Sequence, residues 1–104
     1  AQPKALLVTG SSEQPRKMGV YVKTEVTQAG RPVYKLSSSD TQYLYFWQRH
    51  GEWKIGKSYL DAAAGVAAVD AGKDALCPLD VRRWSHFAKG AFHVALDIKV
   101  VAQG

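Results

Sequence analysis

The chain has 104 residues, of which 14 are Lys or Arg and 9 are Asp or Glu, for a formal charge of +5. This length fits one domain, residues 1–104 with a core over about 5–101, and 46% apolar with 22% charged residues excludes wholesale disorder. The apolar runs are too short for a membrane-spanning helix, and no basic, apolar leader opens the sequence, so a signal peptide is expected to be absent or already removed.

Ala5–Thr9 is a short apolar run closed by Gly10-Ser11-Ser12 and reads as a first strand. The polar stretch Glu13–Lys17, with Pro15, reads as a loop. Gly19–Val26 alternates with a period of two, and Val20, Val22, Thr24 and Val26 form the face expected to be buried. Gln28–Pro32 is a turn in which Gly30 supplies positive φ and Pro32 stiffens the exit, and Val33–Leu36 returns as a strand. After a turn at Ser37–Asp40, Gln42–Gln48 is the densest aromatic segment and strongly β-prone. Its alternation puts Leu44 and Phe46 on one face and Tyr43, Tyr45 and Trp47 on the other. His50-Gly51 turns the chain into Glu52–Gly56, where Trp53 and Ile55 share a face. Residues 19–56 therefore read as a four-stranded antiparallel meander.

The next segment is ambiguous. Leu60–Ala71 is alanine-rich and fits a short helix, while Gly65 weakens that helix and Ala64–Val69 fits a small-residue strand equally well. Gly72–Pro78 reads as a loop and Asp80–Phe87 as a strand or turn around Trp84. Phe92–Val101 alternates throughout and reads as one half-buried strand, with Phe92, Val94, Leu96, Ile98 and Val100 on its inner face. The fold class is all-β, a small antiparallel sheet. Its core is expected at Val20, Val22, Leu44, Phe46, Trp53, Ile55, Leu96, Ile98 and Val100.

Charge is placed unevenly. Residues 1–57 carry nine basic and four acidic side chains, and the remainder carry five of each. Such a field attracts anionic partners. It equally describes a solvated face that maintains solubility, and the absence of a compact Lys/Arg cluster favours that second reading. A single cysteine, Cys77, rules out an internal disulfide and favours a reducing, intracellular compartment.

The motifs Gly19-x-Tyr21, Gly30-Arg31-Pro32-Val33-Tyr34, Tyr43-Leu44-Tyr45-Phe46 and Gly51-x-Trp53-x-Ile55-Gly56 occur in that order, followed by Ala64-Gly65, Pro78, Trp84 and a closing strand. The chain resembles, over roughly residues 6–101, a small aromatic-rich β module of protist, algal and some animal proteins. That module carries "GxY", "NGRPVYK", "YLYY", "GxWxIG" and a late Trp in this sequence. The run from Gly30 to Gly56 is the specific part. The module has no settled activity and often accompanies other domains, which implies recognition rather than catalysis. This chain departs from the pattern at Gln28-Ala29, where Asn usually precedes Gly30, and at Ala62–Ala68, usually polar or aromatic.

Candidate binding residues are Tyr43, Tyr45 and Trp47, which form either an exposed platform for sugars, bases or peptide side chains or a second packed layer, together with Arg31 and Arg49. Arg31 fits a stacked or carboxylate-held guanidinium. His50, His86 and His93 lie on separate elements without metal-ligand spacing to Cys77, so no metal or other cofactor is expected. No catalytic motif appears, and the chain is expected not to be an enzyme. The leading functional expectation is a non-catalytic recognition module for a protein or carbohydrate. The alternatives are binding of single-stranded nucleic acid through Arg31, Lys35, Arg49, Lys54 and Lys57, and self-assembly through an open sheet edge.

Overall fold

Alternating side chains, interrupted by turns and longer connections, produce nine strands among the described residues. In a computed structural model that describes residues 2–39, 41–69 and 75–103, these are β1 (Ala5–Thr9), β2 (Gly19–Gln28), β3 (Arg31–Leu36), β4 (Tyr43–Trp47), β5 (Glu52–Gly56), β6 (Val66–Ala68), β7 (Trp84–Ala88), β8 (Ala91–Val94) and β9 (Lys99–Ala102). Single 3-10 turns lie at Pro15–Lys17 and Pro78–Asp80. The expected turn residue Asp40, the end of the 60–71 segment and the first half of the 72–78 loop lie outside the described residues. The meander over 19–56 is present as β2 to β5, adjacent and antiparallel.

The strands form one antiparallel sheet in the order β8-β7-β6-β5-β4-β3-β2-β1-β9. β8 and β9 follow each other in the chain yet stand at opposite ends of that order. The five Cα steps from Val94 to Lys99 span at most roughly 18 Å, so the sheet must curl until its two ends meet. Bonds across the seam agree. Ser11 Oγ and His86 Nδ1 share a hydrogen bond of 2.8 Å, and Gln14 Nε2 donates to the Phe87 carbonyl at 2.7 Å. Gly10, at φ +101°, lies so close to the 95–98 link that a Cβ there would stand 1.8 Å from the Asp97 carbonyl oxygen.

The curled sheet encloses Leu6, Val8, Tyr21, Leu36, Leu44, Phe46, Trp53, Ile55, Val66, Trp84 and Ile98. Trp53 and Trp84 are its largest side chains, and losing either to alanine would cost about 3–5 kcal/mol. The Trp53 indole donates to the Ala75 carbonyl at 2.9 Å, which lets a polar ring edge sit in the interior.

Two expectations are corrected and one open alternative is decided. In β2 it is Tyr21 that faces inward, fully buried, while Val22 and Val26 are exposed and Val20 is half-buried. A period of two does not say which face is inside. Tyr21 stands opposite core residues Leu6 and Leu36 and satisfies its hydroxyl on the Lys17 carbonyl at 2.7 Å, so the larger ring takes the interior. The supposed single strand 92–101 is two strands, because the chain turns at 95–98 (Ile98 N to Ala95 O, 3.1 Å) to cross the seam. Leu96 is therefore exposed on the link, as are Phe92 and Val94 on β8, and Val100 is half-buried. Within the ambiguous 60–71 segment, Val66–Ala68 is a strand. It lies between β5 and β7 with both faces covered, where small side chains fit and alanine's helix propensity is overridden.

Candidate functional site

The outer face of the meander carries the aromatic row. Leu44 and Phe46 point into the core and Tyr43, Tyr45 and Trp47 point out, yet the three outward rings have different surroundings. Tyr45 is 0% exposed. The 57–65 segment folds back over it, and its hydroxyl donates to the Asp61 carbonyl at 2.7 Å, with the Ala63 carbonyl at 3.4 Å. Gly56 makes this fold-back feasible. A Cβ there would stand 2.6 Å from the Ala63 carbonyl oxygen and 3.1 Å from the Tyr45 hydroxyl. With Val33 and Ala67, Tyr45 belongs to a thin buried layer on the outside of the sheet. As an accessible platform residue Tyr45 is therefore corrected.

Tyr43 is half-buried, its ring edge-on to Tyr59 at 5.3 Å. Trp47 is also half-buried and packs edge-on against Tyr45 at 6.3 Å. Trp47 lines an open hollow of about 380 Å³ with Gln28, Gln48 and the exposed Arg49. Gln28 is held there by its Nε2 donating to the Phe46 carbonyl at 3.0 Å. The Trp47 indole N–H is shielded and has no hydrogen-bond acceptor among the described residues. Among aromatic side chains this is an unusual condition, since a buried indole donor normally finds a partner.

Arg31 is not at this surface. Its Nε donates to the Ala75 carbonyl at 3.0 Å, its Nη1 to the Ala29 carbonyl at 2.8 Å, and its Cζ lies 3.7 Å from the centre of the Phe46 ring. A buried, stacked and bonded guanidinium ties the β2–β3 turn and Ala75 to Phe46 at this end of the curled sheet, so its assignment as a ligand residue is also corrected. Lys54 is likewise buried, with its ammonium 3.0 Å from a Glu52 carboxylate oxygen. Two of the five cations expected to track a nucleic-acid backbone are thus inside the fold.

Comparison with known proteins returns no matching family model, no matching curated protein and no matching solved structure. The motif resemblance stands on the motifs alone.

At the other end of β4 the connections after β1, β3 and β5 surround a polar cleft of about 660 Å³. Its lining includes Gln14, Lys17, Ser39, Thr41, Gln42 and Lys57. Sequence reading assigned no role to Lys17, Gln14 or Gln42, which lie in stretches that look like ordinary polar turns. Only the curl of the sheet gathers them.

Cys77 is half-buried, and burial pushes its thiol up, away from the range of a reactive thiolate. His86 and His93 stand directly opposite each other across β7 and β8, but His86 is bonded to Ser11 and His93 Nε2 lies 3.1 Å from the Ala88 carbonyl. His50 is in a separate turn, 3.9 Å from Glu52. No helix among the described residues is long and apolar enough to cross a membrane.

Proposed function

We propose that this domain is a non-catalytic recognition module that takes a protein or carbohydrate ligand at the Trp47–Arg49 hollow. The observation that carries this reading is Trp47, whose indole N–H has no acceptor among the described residues and whose side chain lines a hollow with Gln28 and the exposed Arg49. A buried donor left unsatisfied costs about 1–3 kcal/mol, and a ligand hydroxyl or carbonyl that reaches it recovers that energy. An aromatic wall with nearby amide and guanidinium donors suits a sugar ring or a peptide backbone with an acceptor-rich edge. The motif resemblance points in the same direction, toward recognition. A glycan array and a protein pull-down, each run with the wild type and with W47A/R49A, test the reading. Ligands retained by the wild type and lost by a still-folded double variant support it; equal retention contradicts it.

A further inference from the structure

The polar cleft at the Gln42 end of β4 is a second, separate feature. Lys17 is the last residue of the 3-10 turn and is only 9% exposed. Its stem runs against Gly65, where a Cβ would stand 2.6 Å from the Lys17 Cε, so the backbone there leaves room for the lysine and for little else. Lys57, at the exit from β5, lines the same cleft and also the adjoining hollow of about 320 Å³ next to Gly65. Burial, reinforced by the Lys57 charge, lowers the Lys17 pKa. Among the described residues no carboxylate lies within 4.0 Å of either ammonium, although Glu13 and Asp61 line the rims, and Arg16 adds a third cation to the cleft. The two cations thus face one cleft without an ion-pair partner among the described residues.

Gln42 supplies the second independent observation. It is 7% exposed, lines this cleft, and its Oε1 has no hydrogen-bond partner among the described residues. A buried amide oxygen requires a donor. A fully ionised phosphate or sulfate ester does not provide one, but a sugar hydroxyl does. Ser39 and Thr41 add hydroxyl groups beside it. The cleft's volume falls in the range of about 300–1,000 Å³ that small-molecule sites occupy.

We infer that this cleft binds the phosphate or sulfate ester of a sugar, with the ester at Lys17 and Lys57 and a sugar hydroxyl donating to Gln42 Oε1. Lysine meets such esters as a point charge, with hydroxyls completing the contacts. The inference accepts that the domain is a recognition module but does not depend on the Trp47 hollow, which lies at the far end of β4.

The test is calorimetric titration with glucose 6-phosphate, glucose 6-sulfate, inorganic phosphate, glucose and phosphoserine, with NMR observation of the Gln42 side-chain amide. A sugar ester should bind more tightly than phosphate, glucose or phosphoserine and shift the Gln42 amide resonances. Lys17→Met and Lys57→Met should each weaken it roughly tenfold or more. Lys57 is exposed, so K57M keeps the test decisive if K17M fails to fold. W47A should bind the ester as the wild type does. Absence of saturable binding by every probe would overturn the inference while leaving the Trp47 reading intact. Tighter binding of phosphate or phosphoserine would overturn its sugar half, and binding unaffected by K57M would overturn the site.

Discussion

The Tyr45 hydroxyl donates to the Asp61 backbone carbonyl at 2.7 Å, and this bond pins the 57–65 segment across the outer face of the sheet. One side chain from the aromatic row thereby becomes structural, while its neighbour two residues on stays at an open hollow. Tyr45→Phe should lower stability by about 1–2 kcal/mol, the loss of one buried hydrogen bond with its acceptor left behind. Hydrogen exchange should accelerate within 57–65 before it does so in β4 or β5. Unchanged exchange in that segment would mean that the bond does not hold it.

Alkaline pH should unfold the domain early. Burial pushes the Tyr45 hydroxyl up to about 12, with the Asp61 charge adding to it, and pushes Tyr34 up to about 12 from the ordinary 10.0. Burial raises Tyr21 as well. The unfolded chain loses these protons first, so above pH 10 it binds fewer protons than the native state, and the slope of stability with pH is negative. The stabilisation is complete below about pH 10 and is lost as pH rises toward about 12. Urea midpoints measured across that window should fall steadily. A flat profile would show the hydroxyls to be accessible.

Ala29 has φ +54° and Gly30 φ +75°, the geometry of a two-residue hairpin turn between β2 and β3. Ala29 occupies the position where the resembling module usually has Asn, a residue that tolerates this conformation better. Ala29→Asn should stabilise the protein by up to about 1 kcal/mol, read as a higher melting temperature. Loss of stability would mean that the backbone at 29–30 differs from the one described.

Gly10→Ala and Gly30→Ala separate two roles of glycine. Both have positive φ, but a Cβ at Gly10 meets the Asp97 carbonyl whereas one at Gly30 meets nothing within 4 Å. Gly30→Ala should cost about 1 kcal/mol, from backbone strain alone, and Gly10→Ala several times as much because it pries the seam open. Equal effects in denaturant titrations would argue against a sheet whose ends meet at that link.

The local elements were legible because turn chemistry and alternation are local. Glu52–Gly56, for instance, coincides with β5. The closure was not, since nothing in Phe92–Val101 announces that its two halves go to opposite ends of the sheet. Strand polarity was also hidden at β2, where valines on one face and Tyr21 on the other offered two plausible interiors. The candidate site divided the same way. Trp47 and Arg49 were visible as an aromatic and a cation close in sequence. The burial of Tyr45 and Arg31 depends on residues 61–63 and 75, far along the chain, and the Lys17–Gln42–Lys57 cleft depends on three separate connections.

Trp47, as proposed, recognises ligand while Tyr45 supports the fold, and a paired comparison of Y45F and W47A on one glycan array, each with its melting temperature, tests this division most directly. W47A should lose the uncharged glycans that the wild type retains, at a temperature where it is folded, and Y45F, though less stable, should keep them. Retention of those uncharged glycans by folded W47A, or their loss in folded Y45F, would contradict this division of roles.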